Sequence, residues 1–521
     1  MNNKQKTFYI TTPIYYPSGN LHIGHLLTTT LAWVYKNYKN SQGYKTFFAT
    51  GIDEHGQKIQ KKAEENNLDP QLYVDMQSEK FIDLWKLLKI DYDFYSRTTN
   101  KNHEKTVLKV FEKMYQNGYI FKDKYIGLYS VSDEEFLTQS QAVFKDGKYY
   151  HPTSNHQLQE IEEESYFFNM KKMEPWIKSF FENNLAFLTN KNIEKELNNN
   201  FLEKGLEDLS VTRISFDWGI KVPKEKYNDK KQHVIYVWLD ALFSYLTALG
   251  FEEENDQNYQ DFWVNGDERI HVLAKEISRF HAIYWPIFLE AIGVNKPTRE
   301  VVHSWIITPE GKMSKSKGNI IEPIPLVTKY GAEEVKYFFS SQVNIDNDFS
   351  FSEDLLINVL NADLANNFGN LVNRTIKMIN QNFVNGTTFK ENDLQDIDKD
   401  ILNSLQIYYE NYKNEFNNFH ADKAFKIAIN LSSKLNEYID LTKPWLLKED
   451  LVRLNCVLNT LLNGIYVINL MLSVVLPEKT NKILGFIKQY KNHHSLINKF
   501  DKFDNLSPQA DEILFSRIIK K

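Results

Sequence analysis

A β-branched and aromatic run from Thr7 to Thr12 leads into the turn-forming Pro17-Ser18-Gly19-Asn20. Apolar residues then recur at helical spacing from Ile23 through Leu27, Leu31, Val34 and Tyr38, confining the N-terminus to a strand, a loop and a helix. A second buried-strand pattern, Lys45 to Thr50, ends on Gly51-Ile52-Asp53-Glu54-His55-Gly56. Two strands that each deliver a polar loop describe an α/β fold with a Rossmann-like, doubly wound parallel sheet. Such sheets gather ligands outside the carboxyl ends of their strands.

At 521 residues the chain exceeds the size at which one hydrophobic core keeps growing, so two or more domains are expected. From about Tyr119 to about Lys231 the pattern turns irregular, with helical stretches near Glu174 to Phe187 and Glu194 to Lys204, as an insertion would. Strand signals return at His233 to Leu239, Ile270 to Leu273 and Glu300 to Ile307. Beyond about Asp354 long helical periodicities dominate, broken at Lys443-Pro444-Trp445 and Leu476-Pro477-Glu478, so an all-α helical bundle is expected there.

Charge and cysteine content exclude several classes. The net charge of -6, from 62 basic and 68 acidic side chains, rules out a bulk-cationic nucleic-acid binder and leaves only a local patch for RNA. A lone cysteine, Cys456, excludes intramolecular disulfides and every cysteine-rich zinc or iron–sulfur site. The polar start from Met1 to Lys6 lacks a signal-peptide core, and no apolar run reads as a membrane span. The expectation is a soluble, cytoplasmic protein.

Two short motifs suit a polyphosphate. His22-Ile23-Gly24-His25 places two imidazoles three apart at a helix start, where unpaired N–H groups and the positive dipole end already attract anions. Gly24 would let an adenine ring or a phosphate approach the backbone. Far downstream, Lys312-Met313-Ser314-Lys315-Ser316 lies between Gly311 and Gly318. Alone, the histidines could merely cap a helix and the lysines could decorate a solvated turn. Together, in this order on an α/β frame, they describe a triphosphate held from both ends.

With these motifs the chain resembles the class I aminoacyl-tRNA synthetases, and among them the methionyl-tRNA synthetases. The likeness extends through Thr11-Thr12-Pro13-Ile14-Tyr15-Tyr16, Gly51 to Ile59, Tyr236-Val237-Trp238-Leu239-Asp240-Ala241, Arg279-Phe280-His281, Asn361 to Asn367 and Lys443-Pro444-Trp445. It implies a catalytic domain in two halves, 1–118 and 232–300, around a zinc-free connective lobe at 119–231. A lysine-loop and stem-contact region at 301–353 and an anticodon-binding helical domain at 354–521 would follow.

The implied activity is ligation of L-methionine to tRNA(Met), for initiation and elongation, with ATP and Mg2+ and through methionyl-adenylate. By the same resemblance His22, His25, Lys312 and Lys315 would be catalytic, and Gly24, Glu276, Ile306 and Lys315 would bind ATP. Ile14, Tyr16, Trp238, Ala241, Tyr245 and His281 would wall the methionine pocket, with Asp53 on the ammonium. Aromatic faces suit a polarizable sulfur and a buried carboxylate suits an ammonium. Asn370 and Arg374, four apart on a helix, and Trp445 after a proline break would receive anticodon bases.

Three departures from the family pattern carry consequences. The stretch Tyr150-His151-Pro152-Thr153-Ser154-Asn155-His156 has no cysteine, and two histidines cannot fill a tetrahedral zinc site, so no metal is expected. Ala274 stands where the family usually has glycine before Lys275-Glu276, which would crowd the ribose side of the ATP site. The chain ends soon after the helical domain, which implies a monomer. The insertion also looks short for the editing domain of the valine, isoleucine and leucine relatives, so homocysteine would be rejected in the synthetic site.

Three other readings remain at this point: a class I synthetase for another amino acid, a small-cofactor nucleotidyltransferase, and a catalytically silent tRNA-binding protein. The pocket block, the lysine loop with the helical domain, and the presence of His22, His25 and Lys315 weigh against them in turn.

Overall fold

The computed structural model describes residues 5–17, 19, 21–132, 135–137, 139, 141–152, 154–309, 311–312, 319–383, 386–388, 391–487, 502–504 and 514–519. It divides into two compact units, one of residues 1–32, 45–86 and 90–303, the other of residues 33–44, 87–89 and 304–521.

The first unit is built on a five-stranded sheet. Its strands are β1 (Thr7–Tyr15), β2 (Lys45–Ile52), β3 (Phe94–Arg97), β4 (Glu268–Ala274) and β5 (Arg299–His303), in the spatial order β5-β4-β1-β2-β3. Every pair is parallel. The chain winds outward from β1 through β2 to β3 and then returns to the other side of β1 for β4 and β5. The switch of direction thus falls between β1 and β4, where a doubly wound sheet opens a crevice at its carboxyl edge. β2 and β3 run so close that a Cβ on Gly51 would fall 2.1 Å from the Ser96 carbonyl oxygen, which explains glycine at that strand end.

Helix α1 (Ile23–Ser41) follows β1, and Leu27, Leu31, Val34 and Tyr38 are all buried, as their spacing predicts. Between β3 and β4 lies a four-stranded antiparallel sheet that pairs Ile120–Ser130 with Gln159–Phe168, flanked by Glu135–Leu137 and Leu209–Ser210. Helix Met170–Asn183 starts and ends four residues before the expected Glu174–Phe187 stretch, and helix Lys191–Leu197 with the π-turn Asn198–Leu202 covers most of the expected Glu194–Lys204.

Two expected strands differ. Of His233 to Leu239 only Val234–Ile235 is a strand, paired with Thr212–Arg213 outside the main sheet, and helix α2 (Val237–Thr247) begins at once. Leu239 to Leu246 are buried without interruption, so this helix lacks the polar face that gives a 3.6-residue period and reads as a buried strand. The run from Glu300 to Ile307 is likewise broken. β5 stops at His303, and Ile306–Thr308 joins Gly311–Lys312 and Phe349–Ser350 in a small sheet of the second unit.

The second unit is mainly helical. Helix α3 (Asn370–Asn382) precedes Asp396–Asn417, α4 (Ala421–Thr442) and α5 (Leu451–Leu472). Asp398 ties three of these together: Arg453 donates to both carboxylate oxygens and the Tyr438 hydroxyl donates to one. Helix α5 is long and apolar enough to cross a bilayer, but 78% of its apolar 18-residue stretch is buried within the protein, as in the core helix of a soluble fold.

Candidate functional site

The helix that leaves β1 starts with a reciprocal pair of caps made from histidine. The backbone N–H of Gly24 donates to Nδ1 of His22 at 3.1 Å, and the backbone N–H of His22 donates to Nδ1 of His25 at 3.1 Å. This is the logic of a Ser-x-x-Glu capping box carried out by imidazoles. Both Nδ1 atoms act as acceptors, so each neutral ring carries its proton on Nε2, which can only donate. Burial, then the neighbouring His22 ring, pushes the His25 pKa well below its ordinary value and keeps that ring neutral.

The two rings lie close together, with centroids 3.9 Å apart and planes tilted by 33°. A Cβ on Gly24 would come within 2.8 Å of the His22 ring, so glycine here makes room for the folded-back imidazole. His25 is seated edge-on against Tyr15 and Phe81, and Tyr15 is bonded to Thr29 at 2.6 Å. The result is a rigid helix start whose Nε2–H groups suit an anion at the positive end of the helix dipole.

A second cluster, which holds the residues expected to wall a methionine pocket, is assembled from α2, the ends of β1 and β2 and the turn after β4. Trp238 stacks on Phe280 at 3.8 Å and meets His281 edge-on at 6.0 Å. The Tyr245 hydroxyl bonds to Nε2 of His281 at 2.7 Å, and Nδ1 of His281 faces the Ile277 carbonyl at 3.0 Å. Burial lowers the His281 pKa to about 4, so this ring is neutral. Tyr245 also packs over His271 at 4.3 Å, and burial, with Glu300 and Asp53 among the groups that add to it, raises its pKa well above the ordinary value. Asp53 and Ala241 are buried, while Ile14 and Tyr16 are partly exposed at the end of β1. The Asp53 backbone N–H donates to Tyr15, joining the ends of β1 and β2.

Other expected residues are distributed differently. Glu276 is exposed on a short 3₁₀ turn after β4. Ile306 is buried and belongs, like Lys312, to the second unit. Lys315 lies outside the described residues. Asn370 opens α3 and donates its amide to the Asn366 carbonyl. Arg374 stands 6.0 Å from the ring centre of Trp445 and 3.6 Å from Asp440, and Trp445 is 44% exposed, so the last two of the three anticodon candidates adjoin.

Several polar groups found here carry no part in the sequence reading. Glu54 accepts from Arg97 and Thr99, His271 bonds to Thr11 at 2.7 Å, and His55 and Asp240 are bonded to each other. Beside the four-stranded antiparallel sheet, Glu164, Asp229 and His233 converge as metal ligands might, but the Lys122 ammonium sits 3.0 Å from Glu164 and 2.5 Å from Asp229. That positive charge fills the position a cation would take.

The chain matches the family model described as tRNA synthetases class I (M) over residues 8–145 and 150–376, and the anticodon-binding domain of tRNA ligase over 398–520. It is 52% identical to the methionine–tRNA ligase of Mycoplasmopsis pulmonis over 99% of each chain. Identity to the Bacillus subtilis methionine–tRNA ligase is 39%, over 99% of this chain and 79% of the relative. A solved Mycobacterium tuberculosis methionyl-tRNA synthetase in complex with methionyl-adenylate superposes with a TM-score of 0.91 at 30% identity, covering 98% of this chain and all of the other.

Proposed function

The chain belongs to the methionyl-tRNA synthetases of class I, and from that membership we propose how its own residues carry the reaction. It activates L-methionine with ATP to methionyl-adenylate and pyrophosphate, then transfers methionine to the 3′ end of tRNA(Met). In the first step a carboxylate oxygen of methionine bonds to the α-phosphorus while the bond from that phosphorus to pyrophosphate breaks. The substrate supplies the nucleophile, so catalysis reduces to positioning and to stabilising charge that grows on the departing oxygens.

His22 and His25 would donate Nε2–H to the phosphates from the helix start. The observation that carries this is the commitment of both Nδ1 atoms to backbone N–H groups, which fixes the rings as donors toward an anion. Gly24 and Glu276 would adjoin the nucleoside, with Ala274 narrowing its ribose side, and Ile306 would complete the ATP contacts. Lys315, aided by Lys312, would close over the pyrophosphate. Magnesium would enter with ATP, bound mainly through its phosphates.

Asp53 would pair with the methionine ammonium. Ile14, Tyr16, Trp238, Ala241, Tyr245 and His281 would enclose the thioether side chain, supported by the mutual contacts of the last three aromatic rings. Such a pocket distinguishes one methyl group by only ~1–3 kcal/mol, so homocysteine would enter and be rejected at this same site. Arg374 and Trp445, with Asn370, would hold anticodon bases.

The boundaries 1–118, 119–231, 232–300, 301–353 and 354–521 are our assignment of catalytic halves, lobe, loop region and anticodon domain. The lobe would hold without zinc, since His151 commits Nδ1 to the Ser154 N–H. A monomer acting in the cytoplasm completes the proposal.

Amino-acid-dependent ATP–pyrophosphate exchange across a panel of amino acids, followed by charging of tRNA(Met), tests this reading. Exchange driven by methionine alone among the standard amino acids is expected. Exchange driven by another amino acid would overturn the pocket assignment.

A further inference from the structure

Asp240 lies between Trp238 and Ala241 in sequence, and its carboxylate is fully buried. Nδ1 of His55 reaches one oxygen at 2.6 Å and Nε2 of His103 reaches the other at 2.7 Å. His103 is braced in turn by Thr247, whose hydroxyl lies 2.9 Å from its Nδ1. Three elements meet here: the loop after β2 through His55, helix Lys101–Gln116 through His103, and α2 through Asp240 and Thr247.

Both ends of this network bear on the methionine pocket. His55 is two residues from Asp53, and the intervening Glu54 is itself held by Arg97 at 2.8 Å and by the Thr99 hydroxyl at 2.6 Å. Two consecutive residues pinned on different partners leave the residue before them little room to drift. On α2, Asp240 shares its helix with Trp238, Ala241 and Tyr245, so a displacement of that carboxylate displaces the aromatic wall. Burial would push the Asp240 carboxyl up, but the His55 and His103 imidazoles outweigh it and leave the pKa lowered, consistent with a charged anchor.

We propose that Asp240, gripped by His55 and His103, is a positioning residue that sets the distance between Asp53 and the Trp238–Ala241–Tyr245 wall, and thereby the selectivity for methionine. The inference rests on the pocket reading given above. It touches neither phosphate nor reacting atoms, so its signature is a change in methionine KM and selectivity with the ATP side intact.

The test is ATP–pyrophosphate exchange with L-methionine and L-norleucine, run on the full chain bearing His103→Ala, His103→Gln, Asp240→Asn or Trp238→Ala. A glutamine amide can reproduce the Nε2–H donor that alanine lacks. His103→Ala and Asp240→Asn are expected to raise methionine KM on the order of tenfold, as loss of a charge-assisted buried hydrogen bond would. The preference over norleucine should fall in parallel, with ATP KM and kcat within about twofold, and His103→Gln should restore most of the loss.

Unchanged methionine KM and selectivity in both His103→Ala and Asp240→Asn would overturn the proposal, as would His103→Gln failing as fully as alanine. If one of the two variants does not fold, the other decides. Trp238→Ala separates the layers of the argument: if it leaves methionine KM unmoved, the pocket reading itself fails. If it shifts KM while the His103 and Asp240 variants do not, only the positioning role falls.

Discussion

Tyr245 donates its hydroxyl proton to Nε2 of His281 across 2.7 Å, a direction fixed because Nδ1–H of the same ring donates to the Ile277 carbonyl at 3.0 Å. The imidazole is therefore a neutral wall of the proposed pocket. Its pKa of about 4 in the fold lies below the ordinary 6.5, so the unfolded chain takes up a proton that the folded chain refuses. Stability is thus full above pH 6.5 and is lost as pH falls toward 4, with His25 and His271 shifted the same way. Thermal unfolding across that window should show the midpoint falling with pH. Methionine KM should pass through pH 6.5 without a step, and a break centred there would mean that His281 titrates as a solvent-exposed ring.

Glu300 should weaken the catalytic unit at neutral pH. It is fully buried on β5, and neither carboxylate oxygen has a hydrogen-bond partner among the described residues. Burial raises its pKa well above 4.5, so beyond the fixed cost of its unpartnered oxygens it adds a cost that is absent in acid and grows as pH rises above that value. Glu300→Met keeps the length and removes the orphaned oxygens. A gain of about 1–3 kcal/mol is expected, larger in mild alkali than in acid, read from thermal or denaturant unfolding. A destabilised variant would reveal an unseen partner.

Trp445 should matter to charging and not to activation. It is 44% exposed beside Arg374, so alanine there forfeits little core packing. Loss of one stacked base is worth about 1–3 kcal/mol, so Trp445→Ala should depress charging of tRNA(Met) tenfold or more while exchange stays near its original rate. Equal loss of both activities would point to misfolding.

Lys315 lies outside the described residues, and its expected part follows from the motif and the chemistry. Lys315→Ala should lower methionine-dependent pyrophosphate exchange on the order of 10²–10³, the usual effect of losing one donor to a developing charge. An unchanged rate would dismiss it.

Local chemistry made the scaffold legible. Thr7 to Tyr38 and Lys45 to Gly56 announce their strands, turns and helix through alternation, turn residues and period, and the imidazoles stand where the motif put them. What stayed hidden depends on distance along the chain. Asp240 meets His55 and His103 across separations of 185 and 137 residues, and no local pattern encodes such a meeting. The strand expected to run to Leu239 gives way at Val237 to helix α2, whose neighbours cover nearly every side and erase the periodicity that marks an amphipathic helix. Glu300 was invisible for the same kind of reason, since a glutamate in a strand-like run looks solvent-facing until the flanking Phe187–Thr189 segment hydrogen-bonds to its backbone.

The account turns on His22 and His25 serving the helix with Nδ1 and the phosphates with Nε2. His25→Asn separates the two duties, because an asparagine oxygen can still accept the His22 N–H but has no donor at the Nε2 position. The deciding measurement is the single-turnover rate of methionyl-adenylate formation in that variant, alongside its thermal midpoint. The rate should fall on the order of 10²–10³ while the midpoint is retained. Adenylate formation at the unsubstituted rate would contradict the account.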